Sequence, residues 1–262
     1  MLAEERKEVI ISRLEKSGSM STKELLEVLG ISSMTLWRDI NSLEKQGVLK
    51  RIHGGITAIK KPKRSGIAEN TVSVKRLINE GKKLALAEYA VRNFISPGDI
   101  ITLEGGTTVA SIVQFLEKLA ETITILTNSM YICNLVTQFN YEYNLVCSGG
   151  ILRKISNTFV GPSAQAFFNS HKSNILFISS AGFDNETGLT DPNPLEVQVK
   201  QNMIQNADKV IALLDSSKFD VHSLMKVVDF KDIDIFVTDS CIKPEDKAFL
   251  MTAGFDLRVV EL

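Results

Sequence analysis

The sequence predicts an α/β chain in two parts: a small helical head that ends in a β-hairpin, and a larger body on a mostly parallel sheet. Three observations predict this. Capped helical runs crowd the first 60 residues, strand-like and helix-like runs alternate after residue 80, and the charge changes sign between the two stretches. Residues 1–64 hold 13 Lys/Arg against 8 Asp/Glu, a balance of +5, while the rest hold 17 against 23, a balance of −6. A basic head on an acidic body is the footprint of a nucleic-acid binder with a second, separate task.

The head spans residues 1–59. Val9, Ile10 and Leu14 fall at helical spacing over residues 4–15, and Ser17-Gly18 stops the run. Ser21-Thr22-Lys23-Glu24 is a capping box before Leu25, Leu26, Val28 and Leu29, and Gly30 ends that short helix. Ser32-Ser33 begins a third helix, whose Leu36, Ile40 and Leu43 repeat at i, i+4 and i+7 and turn inward. Val48 to Arg51, Gly54-Gly55 and Ile56 to Ile59 then form a two-stranded wing. Three short helices and a hairpin make a winged helix-turn-helix.

Residues 60–74 are expected to be a linker, opened by the basic, Pro- and Gly-broken stretch Lys60 to Gly66. The body takes residues 75–262. Strands are expected at Ile100 to Leu103, Ile123 to Leu126, Leu145 to Cys147, Ile175 to Ile178, Val210 to Leu214 and Ile233 to Val237. Helices are expected at Lys82 to Phe94, Thr108 to Leu119, Leu195 to Asn206 and Pro244 to Ala253, and the alternation implies a parallel sheet covered on both faces.

Composition excludes several classes. Cys133, Cys147 and Cys241 lie far apart with no CxxC, against a disulfide framework or a zinc finger, and His53, His171 and His222 lack metal-ligand spacing. No metal or cofactor is expected. The longest apolar runs fall far short of the roughly 20 residues of a membrane span, and Met1 to Arg6 leads into no apolar signal core. No membrane partner and a cytoplasmic location are expected.

The second helix of a helix-turn-helix enters the major groove, its first residues nearest the base edges. With Leu36, Ile40 and Leu43 turned inward, Ser32, Ser33, Thr35, Trp37, Arg38 and Asn41 face out. The hydroxyls suit phosphate oxygens, and Arg38 suits a phosphate or a guanine edge. Double-stranded DNA is the expected partner. Ser32-Ser33-Met34-Thr35-Leu36-Trp37-Arg38-Asp39-Ile40, followed by Arg51-Ile52-His53-Gly54-Gly55, resembles the head of the DeoR family of bacterial regulators. That family carries an S-x-x-T-[IL]-x-R-D-[LI] recognition helix and an R-x-H-G-G wing, which brings Arg51 and His53 into the DNA-binding set. Trp37 stands where Arg is commonest; it gives up a cation for a ring that packs on a thymine methyl or a sugar.

In the body, five polar turns follow strands: Glu104-Gly105-Gly106-Thr107-Thr108, Thr127-Asn128-Ser129, Gly149-Gly150, Gly182-Phe183-Asp184 and Asp215-Ser216-Ser217-Lys218-Phe219. In a parallel sheet the strand C-termini share one edge, where ligands bind. Amides, hydroxyls, carboxylates and one ammonium there suit a ligand with a phosphate at one end and hydroxyls at the other. The same turns, in the same order, resemble the DeoR sensor domain. The resemblance implies a fold akin to ribose-5-phosphate isomerase and the coenzyme A transferases, and phosphorylated sugar effectors. It implies that Gly106, Thr107 and Thr108 cradle phosphate, that Lys218 neutralises it, and that Glu104, Asp184 and Glu196 accept hydroxyl hydrogens. Glu104 stands where the family usually has Asp, as does Asn174.

The expected function is an operator-binding repressor of a carbohydrate operon, a homo-oligomer modulated by a phosphorylated sugar, and not an enzyme. The alternative is a sugar-phosphate isomerase, with Asp184 or Glu186 as base and Lys218 as enediolate stabiliser. An isomerase needs no DNA-reading head.

Overall fold

A computed structural model describes residues 3–45, 48–52, 54–58, 69–116, 119, 122–139 and 144–262. The chain divides into two compact units, Met1–Glu80 and Gly81–Leu262.

The first unit runs α1 (Ala3–Ser17), β1 (Ser19–Ser21), α2 (Thr22–Leu29), α3 (Ser33–Lys45), β2 (Leu49–Ile52), β3 (Gly55–Ala58) and α4 (Val72–Leu77). The capping box closes as its residues predict: Ser21 N–H donates to Glu24 Oε2 at 2.8 Å, and Glu24 N–H to Ser21 Oγ at 3.2 Å. Leu36, Ile40 and Leu43 of α3 pack with Ile10 and Leu14 of α1 and Leu25 and Leu29 of α2. Leu77 joins that cluster, so the head's apolar core draws on a residue three positions past the expected linker. Most of the expected linker lies outside the described residues.

The wing is one strand larger than expected, with order β1-β3-β2. β1 pairs antiparallel with β3, Ser21 opposite Gly55. A Cβ on Gly55 would stand 2.2 Å from Met20 O, and Gly54 turns the hairpin at φ +78°. The two glycines thus do different work, one for close approach and one for handedness.

The second unit opens with α5 (Glu80–Phe94), β4 (Ile100–Leu103), α6 (Thr107–Ala110), β5 (Thr124–Thr127), α7 (Met130–Val136) and β6 (Asn144–Cys147). It continues with β7 (Ile151–Arg153), β8 (Thr158–Val160), α8 (Pro162–Ser170), β9 (Ser173–Ile178), β10 (Gly182–Asp184), β11 (Gly188–Asp191) and α9 (Pro194–Gln205). It ends with β12 (Ala207–Leu213), β13 (Met225–Val228), β14 (Ile235–Asp239), α10 (Pro244–Thr252) and β15 (Asp256–Val260). The helix expected over Thr108 to Leu119 stops at Ala110 and tightens into a 3₁₀ turn, Ser111–Phe115. The β-branched residues Thr107, Thr108, Val109, Ile112 and Val113 disfavour a long α-helix, and Ser111 Oγ bonds back to Thr107 O at 3.1 Å.

Seven strands form a wholly parallel sheet in the order β15-β14-β12-β9-β4-β5-β6. β9 shows why both faces are apolar: Ile175 and Phe177 enter one core, Leu176 and Ile178 the other. Leu86, Val109 and Ile132, from α5, α6 and α7, belong to the first; Phe168, Val197, Met203 and Leu250, from α8, α9 and α10, belong to the second. Two small antiparallel pieces were not expected from the sequence, the β7–β8 hairpin and the β10-β11-β13 sheet. Successive strands run outward from β4 to β6, then the chain returns to β9 on the other flank of β4 and proceeds to β15. The strand order therefore reverses between β4 and β9, and it is at the C-terminal ends flanking such a reversal that open parallel sheets bind ligands. Among the described residues no helix is long and apolar enough to cross a membrane, and no cluster of three His, Cys, Asp or Glu could hold a metal.

Candidate functional site

Two surfaces carry chemistry, one in each unit. In the first, Ser32 Oγ accepts from Thr35 N–H at 3.3 Å and lies 3.0 Å from Thr35 Oγ1. These two residues cap α3. Ser32, Ser33, Trp37, Arg38 and Asn41 are exposed, Thr35 half-buried. Met34, which the sequence reading left out, is the most exposed large apolar side chain of the chain's described residues at 76%. Met34, Trp37, Arg38, Asn41, Ser42 and Lys45 line one shallow groove along the helix. An apolar edge beside a guanidinium, an amide and an ammonium suits thymine methyls, base edges and phosphates together.

Arg51 is placed differently from its neighbours. It pairs with Glu44 at 2.6 Å, its N–H donates to the same carboxylate at 3.2 Å, and its guanidinium lies 5.9 Å from the centre of the Trp37 ring. These bonds hold Glu44 below the usual carboxylate range. Arg51 thus braces β2 against α3. His53 lies outside the described residues. Asp39, next to Arg38, is buried and takes Arg6 Nε at 2.7 Å and Nη2 at 3.3 Å. It ties the recognition helix to α1.

In the second unit the C-terminal ends of β4 and β9 are organised around a cation that the sequence does not announce. Lys200 of α9 is buried, and its ammonium reaches Ser179 O at 2.6 Å, Asp191 Oδ2 at 2.6 Å and Glu104 Oε1 at 3.0 Å. Glu104 Oε2 also accepts from the amides of Gly106 (2.9 Å) and Ser179 (3.3 Å). Burial pulls Lys200 down, but the charges of Asp191 and Glu104 outweigh it and hold the ammonium above its ordinary range. Burial, with Asp191 beside it, pushes Glu104 up against the pull of Lys200.

A second chain of contacts meets the first at Gly105. A Cβ there would stand 2.2 Å from Thr158 Cγ2 and 3.5 Å from Asn128 Oδ1. Thr158 Oγ1 is held by Glu196 Oε1 at 2.9 Å and Ser156 Oγ at 2.8 Å, and Arg153 Nη1 reaches Glu196 at 3.3 Å. Ser129 bridges to Thr158 through the backbone. Asn128 Nδ2 donates to Phe159 O at 3.1 Å, but Asn128 Oδ1 is buried with no hydrogen-bond partner among the described residues. A buried acceptor without a donor is costly.

The remaining sequence candidates separate. Thr107 and Thr108 open α6, with Thr108 buried; Gly149 and Gly150 follow β6, beside the Thr127 turn, where Ser148 N–H meets Thr127 O at 2.9 Å. Asp184 Oδ1 accepts from Glu186 and Thr187 N–H in its own hairpin, while Oδ2, 3.1 Å from His222 Nδ1, is buried with no hydrogen-bond partner among the described residues. Lys218 is half-buried in a 3₁₀ turn capped by Asp215, its N–H on Asp215 O at 2.9 Å. It is not the single basic group of the sheet edge. Besides Lys200 and Arg153, Lys82 of α5 binds Ser216 Oγ at 2.6 Å and Asp239 at 2.9 Å. Helix and hairpin cations of this kind carry no local motif.

Gly105→Ala should test the junction. Thr158 cannot yield cheaply, because its hydroxyl is fixed on both sides. The expected cost is about 1–3 kcal/mol in chemical denaturation of the second unit. An unchanged midpoint would mean that the β7–β8 hairpin gives way freely.

Known proteins resemble both units of the chain. The DeoR-like helix-turn-helix domain matches residues 6–62, and the DeoR C terminal sensor domain matches residues 78–240. The regulator GlpR of Haloferax volcanii is 32% identical over 97% of this chain and 96% of its own. IolR of Bacillus subtilis is 31% identical over 94% and 93%, and the lactose phosphotransferase system repressor of Lactococcus lactis is 29% identical over 92% of each. Among solved structures, ribose 5-phosphate isomerase A of Methanocaldococcus jannaschii overlaps 54% of this chain and 55% of its own at 23% identity and a TM-score of 0.38, too slight a likeness to bear on activity. With a helix-turn-helix model over its head, a sensor model over its body and whole-length regulators as relatives, the chain belongs to the DeoR family of transcriptional regulators.

Proposed function

We propose that the chain is a repressor of a carbohydrate operon. Its first unit (residues 1–59 with the following segment) reads double-stranded operator DNA, and residues 75–262 assemble copies and bind a phosphorylated sugar that releases it. The observation that carries the effector reading is Asn128 Oδ1, a buried acceptor beside the close-approach residue Gly105 at the sheet edge where the strand order reverses. A sugar hydroxyl supplies the missing donor. Glu104 and Glu196 flank the same junction, and Gly106, Thr107, Thr108, Ser129, Gly149, Gly150 and Lys218 lie on turns of the same edge. The roles of the relatives, a lactose phosphotransferase system repressor among them, support a carbohydrate operon as target.

Two experiments test the reading. Arg38→Ala should weaken binding to a duplex selected from random sequence by the full chain, by about 1–3 kcal/mol if Arg38 reads a guanine. Equal loss on all duplexes would assign Arg38 to phosphate; no loss, with the fold intact, would remove it from the interface. Calorimetry with a panel of sugar phosphates beside the free sugars tests the effector. Lys218→Ala should keep DNA binding and lose the response, because a phosphate near an acidic body needs a local cation. Equal affinity for phosphorylated and free sugars would sink the phosphate part, and turnover of a sugar phosphate would replace the reading with an enzyme.

A further inference from the structure

The exposed apolar surface of the first unit is concentrated on the elements that read DNA. Among its described residues the large apolar side chains that stand exposed are Met34, Trp37 and Ile52. Met34 and Trp37 belong to α3 and Ile52 to β2; α1 and α2 contribute none. Apolar side chains scattered singly over a surface are ordinary, but a cluster on one working edge points to a contact. Met34 is the second residue of α3, at the end of a recognition helix that comes nearest the base edges. Trp37, Arg38, Asn41 and Lys45 follow at i+3, i+4, i+7 and i+11, and with Met34 and Ser42 they line the groove described above. No carboxylate lines it. The two acidic residues of α3 are turned elsewhere, Asp39 to Arg6 and Glu44 to Arg51. The Arg51 guanidinium in turn lies 5.9 Å from the centre of the Trp37 ring. The ring is thus a wall braced from the wing, and Met34, ahead of it on the helix, is the exposed apolar tip.

We propose that Met34 is a specificity-determining residue that reads the 5-methyl group of a thymine in each half-site. The proposal rests on the reading of the first unit as a binder of duplex operator DNA, and it names the base that one side chain selects. A thioether has no hydrogen-bond donor and only a weak acceptor, so it offers nothing to a phosphate oxygen or to a polar base edge. The apolar group that the major groove presents is the methyl on C5 of thymine. An unbranched, polarisable side chain adapts its shape to that methyl.

Helix geometry also places the thymine. A helix rises about 1.5 Å per residue, so Met34 and Arg38 stand about 6 Å apart along α3, and one base-pair step is about 3.4 Å. The thymine should therefore fall within about two base pairs of the group that Arg38 holds.

The test uses the full chain and the duplex that it selects from random sequence. Each thymine is replaced in turn by uracil, which removes the methyl and keeps the Watson–Crick pairing, and affinity is measured by gel shift at one salt concentration. One thymine per half-site should lose about fourfold in affinity, the worth of one buried methyl. In Met34→Ala the same replacement should cost nothing. Met34→Leu, which keeps an apolar tip, should keep the preference for thymine. Met34 lies outside the head's apolar cluster, so both variants should retain the wild-type circular dichroism spectrum. A selected duplex that is indifferent to uracil at every position overturns this proposal alone. So does a thymine preference that survives in Met34→Ala, since the methyl then belongs to another side chain. A chain that selects no duplex overturns the operator reading and this proposal with it.

Discussion

Lys200→Met should destabilise the second unit by roughly 3–5 kcal/mol, the usual consequence of removing one partner of a buried ion pair. The ammonium spends its three N–H bonds on Ser179 O, Asp191 and Glu104, and so joins the ends of β4 and β9 to β11. Methionine fills much of the volume, so the loss is electrostatic rather than a cavity. Two carboxylates are then left facing each other in a dry site. Burial and Asp191 already push Glu104 up in the intact protein, and without Lys200 that push is unopposed. The folded variant then binds a proton that the unfolded chain, with a carboxyl near about 4.3, releases. Its stability should fall as pH rises from that value through the raised folded one, so its deficit should be smaller at pH 5 than at pH 8. Urea denaturation of wild type and variant at both pH values measures this. A deficit under about 1 kcal/mol, or one that grows on acidification, would show that the ion pair does not hold these strand ends together.

A fragment of residues 1–80 should bind the selected operator duplex roughly 10²–10⁴-fold more weakly than the full chain at matched salt. The boundary follows from the structure, since Leu77 packs into the head's apolar cluster and a shorter fragment would leave it out. One head contacts one half-site. Linked heads convert the second contact into an intramolecular step, with no new bond required. Gel shifts with one and two half-sites read the difference. Equal affinity for fragment and full chain would sink the proposal that the body assembles copies. Circular dichroism of the fragment separates that outcome from a head that does not fold alone.

What could be read from sequence follows from where the signal is local. Ile175 to Ile178 of β9 form an unbroken apolar run, because both faces are buried there, and such runs announce themselves. β1 is Ser-Met-Ser, three residues without pattern, and it exists because Gly55 lets β3 come close. The turn residues Glu104, Gly106 and Asn128 were legible from the strand ends they follow. Lys200 was not: inside α9 a lysine reads as a solvated position, and only the tertiary approach of Asp191 and Glu104 makes it a core residue. Arg153 was hidden for the same reason in a hairpin too short to predict. Asp184 was legible as a polar group at a strand end, but not that its Oδ1 would cap the turn that follows it.

The neighbours Arg38 and Asp39 sit on one helix but answer to different constraints. Arg38, with Met34, Trp37 and Asn41, faces outward and supports nothing in the head's apolar core; Asp39, with Leu36, Ile40 and Leu43, holds α3 in place. A lineage of such proteins can therefore exchange the outward set, and so acquire a new operator, at little cost to folding. A change in the inward set is filtered by stability before any DNA is met. Four surface positions of α3 are thus the natural place to graft a new specificity, with residues 36, 39, 40 and 43 left as they are.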